Sequence, residues 1–388
     1  SDIPLHCGSL NQQWLLESDI IVISPGLAVK TPEIQAAIAA GVEVIGDIEL
    51  FCRVADKPII AITGSNGKST VTSLVYEIAK SAGLAVGMGG NIGIPALSLL
   101  NQSFDLYVLE LSSFQLETTY SLKAAAATVL NVTEDHMNRY VDLEDYRQAK
   151  LRVYQNAVNI VVNNEDPLTR PDAMDTSSKV YTFAESQADY WLRHGEDDSY
   201  LMAGDEVILP CGEVSLVGRH NYMNCLAATA LSEAVGIPLA AVRHTLRHFK
   251  GLDHRFQLAA NVNGVRWIND SKATNVGSTV AALSGLQVKG TLHLLLGGDG
   301  KGADFSELAT LIEKPNIICY CFGRDGAQLA ALSSHSHLFE TMQQAIEFLR
   351  PHLVVGDMVL LSPACASLDQ FPSFEKRGEE FTRLANLK

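Results

Sequence analysis

The stretch Pro58-Ile59-Ile60-Ala61-Ile62-Thr63-Gly64-Ser65-Asn66-Gly67-Lys68-Ser69-Thr70 decides the fold. An apolar run of strand character ends in a glycine-containing loop. Lys68-Ser69-Thr70 then opens an amphipathic segment, Val71 to Ala82, of helical period. Strand, glycine loop, Lys-Ser/Thr and helix together make a phosphate cradle. Loop amides and the helix N-terminus face the anion, the lysine reaches the β- and γ-phosphates, and the hydroxyl of Ser69 holds Mg²⁺. Gly64, Ser65, Asn66, Gly67 and Thr70 shape the loop. A strict phosphate loop carries a further glycine where this chain has Ile62. An ordinary strand-turn-helix connection is the alternative reading.

Bulk properties agree with a nucleotide-using globular protein. The 388 residues suggest two or three domains, and 47% hydrophobic against 19% charged residues leaves ample core. No run approaches the ~18 apolar residues of a membrane span, and no signal peptide is visible. A net charge of −15 argues against nucleic-acid or anionic-membrane binding. Such a chain must gather its cations locally to hold phosphates. Seven scattered cysteines without a CxxC pair point to a reduced, cytoplasmic compartment and away from a thiolate zinc site.

Residues 1–46 read as part of an α/β unit. Ile20 to Ile23 forms a strand ending in Ser24-Pro25-Gly26, and Thr31-Pro32 opens a helix that runs to Ala40. Ser24 and Gly26 either touch a ligand or make a plain turn. The first strand and glycine turn of a full dinucleotide-type half are not found ahead of them. Residues 47–251 follow as a central domain. A strand, Leu84 to Met88, leads into Gly89-Gly90-Asn91-Ile92-Gly93. The next, Asp105 to Leu109, ends in Glu110-Leu111-Ser112-Ser113. A carboxylate at that place holds Mg²⁺ or is a solvated strand-end charge. Ala124 to Val132 is a further strand, ending in Thr133-Glu134-Asp135-His136-Met137. His136 is a metal ligand, an acid/base group or a structural histidine. Lys150 lies on a helix running to about Tyr154 and by itself is a surface cation. Residues from about 158 to 217 read as a meander of short strands. Asn221 and Asn224 share one face of an alanine-rich helix, where they read a base edge or cap.

Residues 252–388 form a second parallel α/β domain, with strands ending in Asp270 to Asn275, Gly297 to Lys301 and Ser362 to Ser367. Cys365 has no base near it in sequence and reads as a buried small residue.

Taken together, these residues resemble the Mur ligases and their folylpolyglutamate synthetase relatives, whose phosphate loop also lacks the first glycine. Ser24 to Gly26, Gly89 to Gly93, Glu110 to Glu117, Asn131 to Met137, His254-Arg255-Phe256, Asn269 to Asn275, Leu296 to Lys301 and Ser362 to Phe371 occur in the family's order. They resemble the branch that adds D-glutamate to UDP-N-acetylmuramoyl-L-alanine. The resemblance implies an α/β protein of three domains. These are a partial Rossmann-like UDP-substrate domain (1–46), a central P-loop mononucleotide-binding domain for ATP (47–251) and a C-terminal Rossmann-like domain for D-glutamate (252–388). It implies a cytoplasmic, monomeric enzyme of peptidoglycan synthesis, working through an acyl phosphate with ATP and two Mg²⁺ ions.

The same resemblance assigns roles. Lys68 contacts the phosphates, and Ser69 with Glu110 holds one Mg²⁺. His136 and Lys150 hold the second, with Lys150 carbamylated so that it becomes an anionic oxygen ligand. Asn221, Asn224 and His254 lie near adenine, Asp270 near ribose and Arg255 near the γ-phosphate. Lys272, Thr274, Lys301, Ser367 and Phe374 line the D-glutamate end, while Ser24, Gly26, Asn91 and Ser112 belong to the UDP-sugar side. Domain closure is expected, with Gly251 as a hinge. The rivals are a sister ligase adding another amino acid, a P-loop small-molecule kinase, and a binding module with vestigial sites.

Overall fold

The computed structural model describes residues 3–137, 139–173, 177–195, 198–216, 218–284, 286 and 288–387. They form two compact units. The first comprises residues 1–132, 144–213 and 224–248, and the second 133–143, 214–223 and 249–388. No helix among the described residues is long and apolar enough to cross a membrane.

Two sheets build the first unit. Strands β1 (Ile20–Val22) and β2 (Glu43–Ile45) pair in parallel. They pack on the helix Pro32–Ala39 through Ile21, Ile34, Ala37 and Val44, a small core of its own. Nine strands make the larger sheet: β3 (Ile59–Thr63), β4 (Val86–Gly90), β5 (Leu106–Glu110), β6 (Ala126–Val129), β7 (Asn159–Asn163), β8 (Lys179–Ala184), β9 (Tyr190–His194), β10 (Ser199–Ala203) and β11 (Glu206–Pro210). Their order is β11-β10-β9-β8-β7-β6-β3-β5-β4. All five residues of β3 are buried, as a strand covered on both faces of a parallel sheet requires. The chain leaves β3 for β4, returns to β5 beside β3, and then crosses to β6 on β3's other side. Such a reversal opens a crevice beyond the carboxyl end of the central strand, where ligands of α/β proteins sit.

Two expectations for this unit change. The stretch from 158 to 217 is not one meander. β6, β7, β8 and β9 run parallel, and only β9-β10-β11 are antiparallel. β7 is buried through its first four residues and so continues the parallel sheet, whereas burial in β8 rises along the strand, from exposed Lys179 and Val180 to buried Phe183 and Ala184. Gly89 and Gly90 belong to β4 and not to a loop. A Cβ on Gly89 would meet the Ile94 carbonyl oxygen at 2.2 Å, and one on Gly90 the Glu110 carbonyl oxygen at 2.4 Å. Close backbone approach is the reason for both glycines.

The second unit holds β12 (Gln257–Val262), β13 (Val265–Asn269), β14 (Leu292–Gly297), β15 (Ile317–Phe322), β16 (Ser336–Leu338) and β17 (Met358–Leu361). Their order is β12-β13-β17-β14-β15-β16, parallel except for the β12–β13 hairpin. That hairpin went unread in the sequence. It turns on Asn263-Gly264, at φ 52° and 78°, the two-residue turn whose twist suits a hairpin. Leu294, Leu295 and Leu296 of β14 are wholly buried, alternating between the cores on the two faces of the sheet. Each such side chain contributes roughly 1.5–3 kcal/mol. Cys365 is also wholly buried in one of these cores, and burial pushes its thiol up.

Candidate active site

The phosphate loop forms where the sequence predicts it. β3 ends at Thr63, and the helix Lys68–Ser81 begins at once after Gly67. Gly64 (φ 149°) and Gly67 (φ 83°) hold backbone conformations that a side chain resists. Space is equally restrictive. A Cβ on Gly64 would lie 3.0 Å from the Leu130 Cβ, and one on Gly67 would lie 2.6 Å from the Asn224 Oδ1. Ile62 is the fourth residue of β3 and wholly buried, so the position of the missing glycine is strand here. Ser69 and Thr70 are buried in the helix's first turn, whose amides have no intrahelical acceptor.

Two ammonium groups converge on one carbonyl. Lys68 Nζ donates to the Gly64 carbonyl at 2.8 Å and to that of Ser65 at 3.0 Å. Lys150 Nζ donates to the same Gly64 carbonyl at 2.9 Å. Lys150 is only 1% exposed and lies on the helix Leu143–Leu151. Its ammonium sits 4.3 Å from the centre of the Tyr146 ring, and the Tyr146 hydroxyl accepts from Ser65 Oγ at 3.3 Å. A surface cation is thereby ruled out. In an acidic chain, two lysines at the mouth of a phosphate loop make a local anion site.

Glu110 ends β5, in register with Ile62 of β3. Its side chain is 2% exposed. Oε1 accepts from Asn91 Nδ2 at 2.7 Å, while Oε2 is buried without a hydrogen-bond partner. An orphaned carboxylate oxygen beside a phosphate loop suits a hard cation, which takes oxygen ligands. Among the described residues no three His, Cys, Asp or Glu side chains cluster as a metal site.

Other predicted residues have local tasks. Ser112 caps the helix Ser113–Leu116: its hydroxyl accepts from Gln115 N, and Gln115 Oε1 accepts from Ser112 N. Ser24 Oγ accepts from Gly26 N at 3.3 Å, making a turn. Asn224 lies against Gly67, and Asn221, one turn earlier on the helix Arg219–Ala234, is 9% exposed.

In the second unit the predicted residues gather at the carboxyl ends of β13, β14 and β17. His254 (φ 62°) stacks edge-on against Phe374, with ring centres 6.3 Å apart, and Lys272 Nζ lies 4.1 Å from the centre of the same ring. Thr274 N donates to the Lys272 carbonyl, and the Ser367 carbonyl accepts from Gln370 N and Phe371 N. Asp270 faces inward. Its Oδ1 accepts from Phe256 N and its Oδ2 from Ser362 Oγ, so it ties the turn that carries His254 and Arg255 to the sheet. Burial pushes its carboxyl up to about 7, against those hydrogen bonds and the pull of Arg255 and Arg377.

Three residues escaped the sequence reading. Asp135 accepts from Lys301 Nζ at 2.6 Å and from Asn275 Nδ2 at 3.2 Å, with His136 Nε2 3.7 Å away. Burial alone pushes its carboxyl up, but Lys301 and His136 outweigh it and hold it at about 2. Arg377 is wholly buried, donating to Ser271 Oγ, the Ser271 carbonyl and the Gly297 carbonyl. It joins the loops after β13 and β14. Asn131 binds the phosphate loop through main chain and side chain: Ser65 N donates to its carbonyl, and its carboxamide pairs with Asn66.

Comparison with known proteins agrees with this layout. Residues 1–46 match the Mur ligase MurD-like N-terminal domain, 62–232 the Mur ligase middle domain, and 254–365 the Mur ligase glutamate ligase domain. The chain is 78% identical, over 99% of its length and 88% of the relative's, to the UDP-N-acetylmuramoylalanine--D-glutamate ligase of Haemophilus influenzae strain PittEE. To the enzyme of the same name from Pasteurella multocida it is 74% identical, over 100% of this chain and 88% of that one. The fold resembles the MurF ligase of Thermotoga maritima solved in complex with ADP, at a TM-score of 0.69 and 18% identity, covering 97% of this chain and 96% of that one. Identity this high across almost the whole chain, with matching models for all three segments, makes this protein a member of the Mur ligase family.

Proposed function

We propose that this chain joins the carboxylate of UDP-N-acetylmuramoyl-L-alanine to the amino group of D-glutamate, with ATP becoming ADP and phosphate, as a cytoplasmic enzyme of peptidoglycan precursor synthesis. The observation that carries it is the pairing of a phosphate loop with Glu110, whose buried Oε2 has no partner. The names of its relatives supply the substrates.

A carboxylate is a poor electrophile towards an amine. One of its oxygens attacks the γ-phosphorus in line and ADP leaves, giving an acyl phosphate. The amine nitrogen then attacks the acyl carbon, and the tetrahedral intermediate loses phosphate and a proton to yield the amide. The first step brings anions together, so cations must offset their repulsion. Lys68 is the group for the β- and γ-phosphates, and it must turn from the Gly64 and Ser65 carbonyls to reach them. Each well-placed donor of this kind is worth about 3 kcal/mol in the transition state. Ser69 and Glu110 would hold Mg²⁺, which supplies charge neutralisation of the phosphates.

A second ion would rest on His136 and a carbamylated Lys150. An unmodified ammonium ligates no cation, and an anionic oxygen at that buried position would. Intact-mass and peptide analysis of the active, metal-loaded enzyme tests the carbamate, and an unmodified Lys150 refutes it. Asn221, Asn224, His254, Arg255 and Asp270 serve the nucleotide. Lys272, Thr274, Lys301, Ser367 and Phe374 serve D-glutamate, whose two carboxylates suit two lysines. Ser24, Gly26, Asn91 and Ser112 serve the UDP-sugar.

Phosphate and ADP release, measured with UDP-N-acetylmuramoyl-L-alanine and ATP with and without D-glutamate, tests the whole reading. Sustained phosphate release only with all three substrates supports it. ADP formation without phosphate release points to a kinase, and preference for another amino acid in a panel points to a sister ligase.

A further inference from the structure

Asn131 lies two residues beyond the end of β6, where the chain passes close to the phosphate loop. The backbone of Leu130 and Asn131 runs so close to Gly64 that a Cβ there would lie 3.2 Å from Leu130 N and 3.4 Å from Asn131 N. Three hydrogen bonds then join Asn131 to the loop. Its carbonyl accepts from Ser65 N at 2.9 Å. Its side-chain Oδ1 accepts from Asn66 N at 2.8 Å, and its Nδ2 donates to the Asn66 carbonyl at 3.0 Å. The two side-chain bonds bracket the Asn66 Cα, so they hold both of its backbone dihedrals.

We infer that Asn131 is the positioning residue that aims the phosphate loop's amides, by clamping Asn66 on both sides of its Cα. The Ser65 and Asn66 N–H groups are committed to Asn131, so neither is a phosphate donor in this arrangement. In a trans peptide the carbonyl and the next N–H point in opposite directions. Turning the Asn66 carbonyl toward Asn131 therefore aims the Gly67 N–H away from it, where a phosphate oxygen can accept it alongside the first-turn amides of the helix. Only a carboxamide of this length offers an acceptor and a donor side by side. Aspartate would set a second acceptor against the Asn66 carbonyl, and alanine would supply neither group.

The inference rests on the ATP reading, so the wild-type protein is measured first. Inhibition constants for ADP and AMP test that reading by themselves, since a phosphate loop must favour ADP. Asn131→Ala should then raise the ATP KM and the ADP inhibition constant about tenfold or more, as expected from losing two hydrogen bonds. The AMP inhibition constant and the D-glutamate KM should stay within about twofold. Asn131→Asp, nearly isosteric, should do the same or worse. Equal loss for ADP and AMP, a parallel rise in the D-glutamate KM, unchanged ADP inhibition, or failure of both variants to melt cooperatively would each overturn the assignment.

Discussion

Glu110→Gln separates a residue kept for chemistry from one kept for folding. The Glu110 side chain is 2% exposed, and its Oε2 has no partner in the protein. A buried acceptor left unpaired costs about 1–3 kcal/mol, and more when charged. Glutamine keeps the volume and the Oε1 that accepts from Asn91. It replaces a buried charge by a neutral amide whose N–H₂ is then the unpaired group. The metal-free variant should therefore be as stable as the parent, or more stable by about 1 kcal/mol, which is roughly 2–4 °C in Tm for a protein unit of this size. Activity should move the other way. Losing a charge that holds the phosphate-bound cation should lower kcat/KM by a factor of about 10²–10³, corresponding to some 3–4 kcal/mol. The assay pairs thermal melts, with and without Mg²⁺ and ADP, with steady-state phosphate release. The parent should gain Tm from Mg²⁺ with ADP, and the variant should lose most of that gain. A variant that melts well below the parent without metal, yet keeps its activity, would refute the reasoning.

Three substitutions in the second unit give further outcomes. Lys301→Ala should raise the D-glutamate KM at least tenfold while leaving that for ATP within about twofold; an equal rise in both refutes the assignment. The same change removes the cation that holds the Asp135 carboxyl at about 2. A carboxyl lowered on folding adds stability above its ordinary range and loses it as pH falls toward 2, so acid unfolding of the variant should begin at higher pH. Asp270 has the opposite sign. Its carboxyl is raised to about 7, so its contribution is present at low pH and is lost as pH rises through 7. Asp270→Asn should flatten the decline in stability between about pH 4 and 7, read from denaturant midpoints. Arg377→Met leaves the Ser271 and Gly297 carbonyls without their buried donor. It should cost about 2–4 kcal/mol in urea unfolding of the unit that contains it.

What the sequence revealed about the site was local. Gly64, Gly67, Lys68 and Ser69 lie within six residues at a strand-to-helix junction, so their order alone specifies a mechanism. Glu110 was legible because an apolar strand ends on it. The carboxyl-end loops of β13, β14 and β17 were legible for the same reason. What escaped were partners made by the fold. Asn131 and Asn66 are 65 residues apart, and Asp135 and Lys301 are 166 apart. No periodicity or spacing links such pairs. The β12–β13 hairpin is different, because Asn263-Gly264 between alternating runs was a readable turn signal. β8 misled for a physical reason: a parallel strand exposed over its first half lacks the continuous apolar run that marks a strand buried on both faces.

Lys150 shows why a residue's surroundings outweigh its class. On sequence it was a helix-surface cation, and only resemblance gave it another role. In the structure it is buried, with its ammonium shared between the Tyr146 ring and the Gly64 carbonyl to which Lys68 also donates. Two ammonium groups on one carbonyl repel, and burial makes that repulsion harder to screen. An anion that accepts from either ammonium lessens that repulsion. On the proposed function, a triphosphate entering the loop would draw Lys68 away from Gly64 toward its oxygens. On the same proposal, a carbamate on Lys150 would remove the second positive charge and add a negative one, which takes a cation in turn. The bonds from Asn131 to Ser65 and Asn66 involve neither ammonium. Charge and backbone at this site therefore rest on different residues, and Asn131 stands in a family motif that by itself assigns it no task.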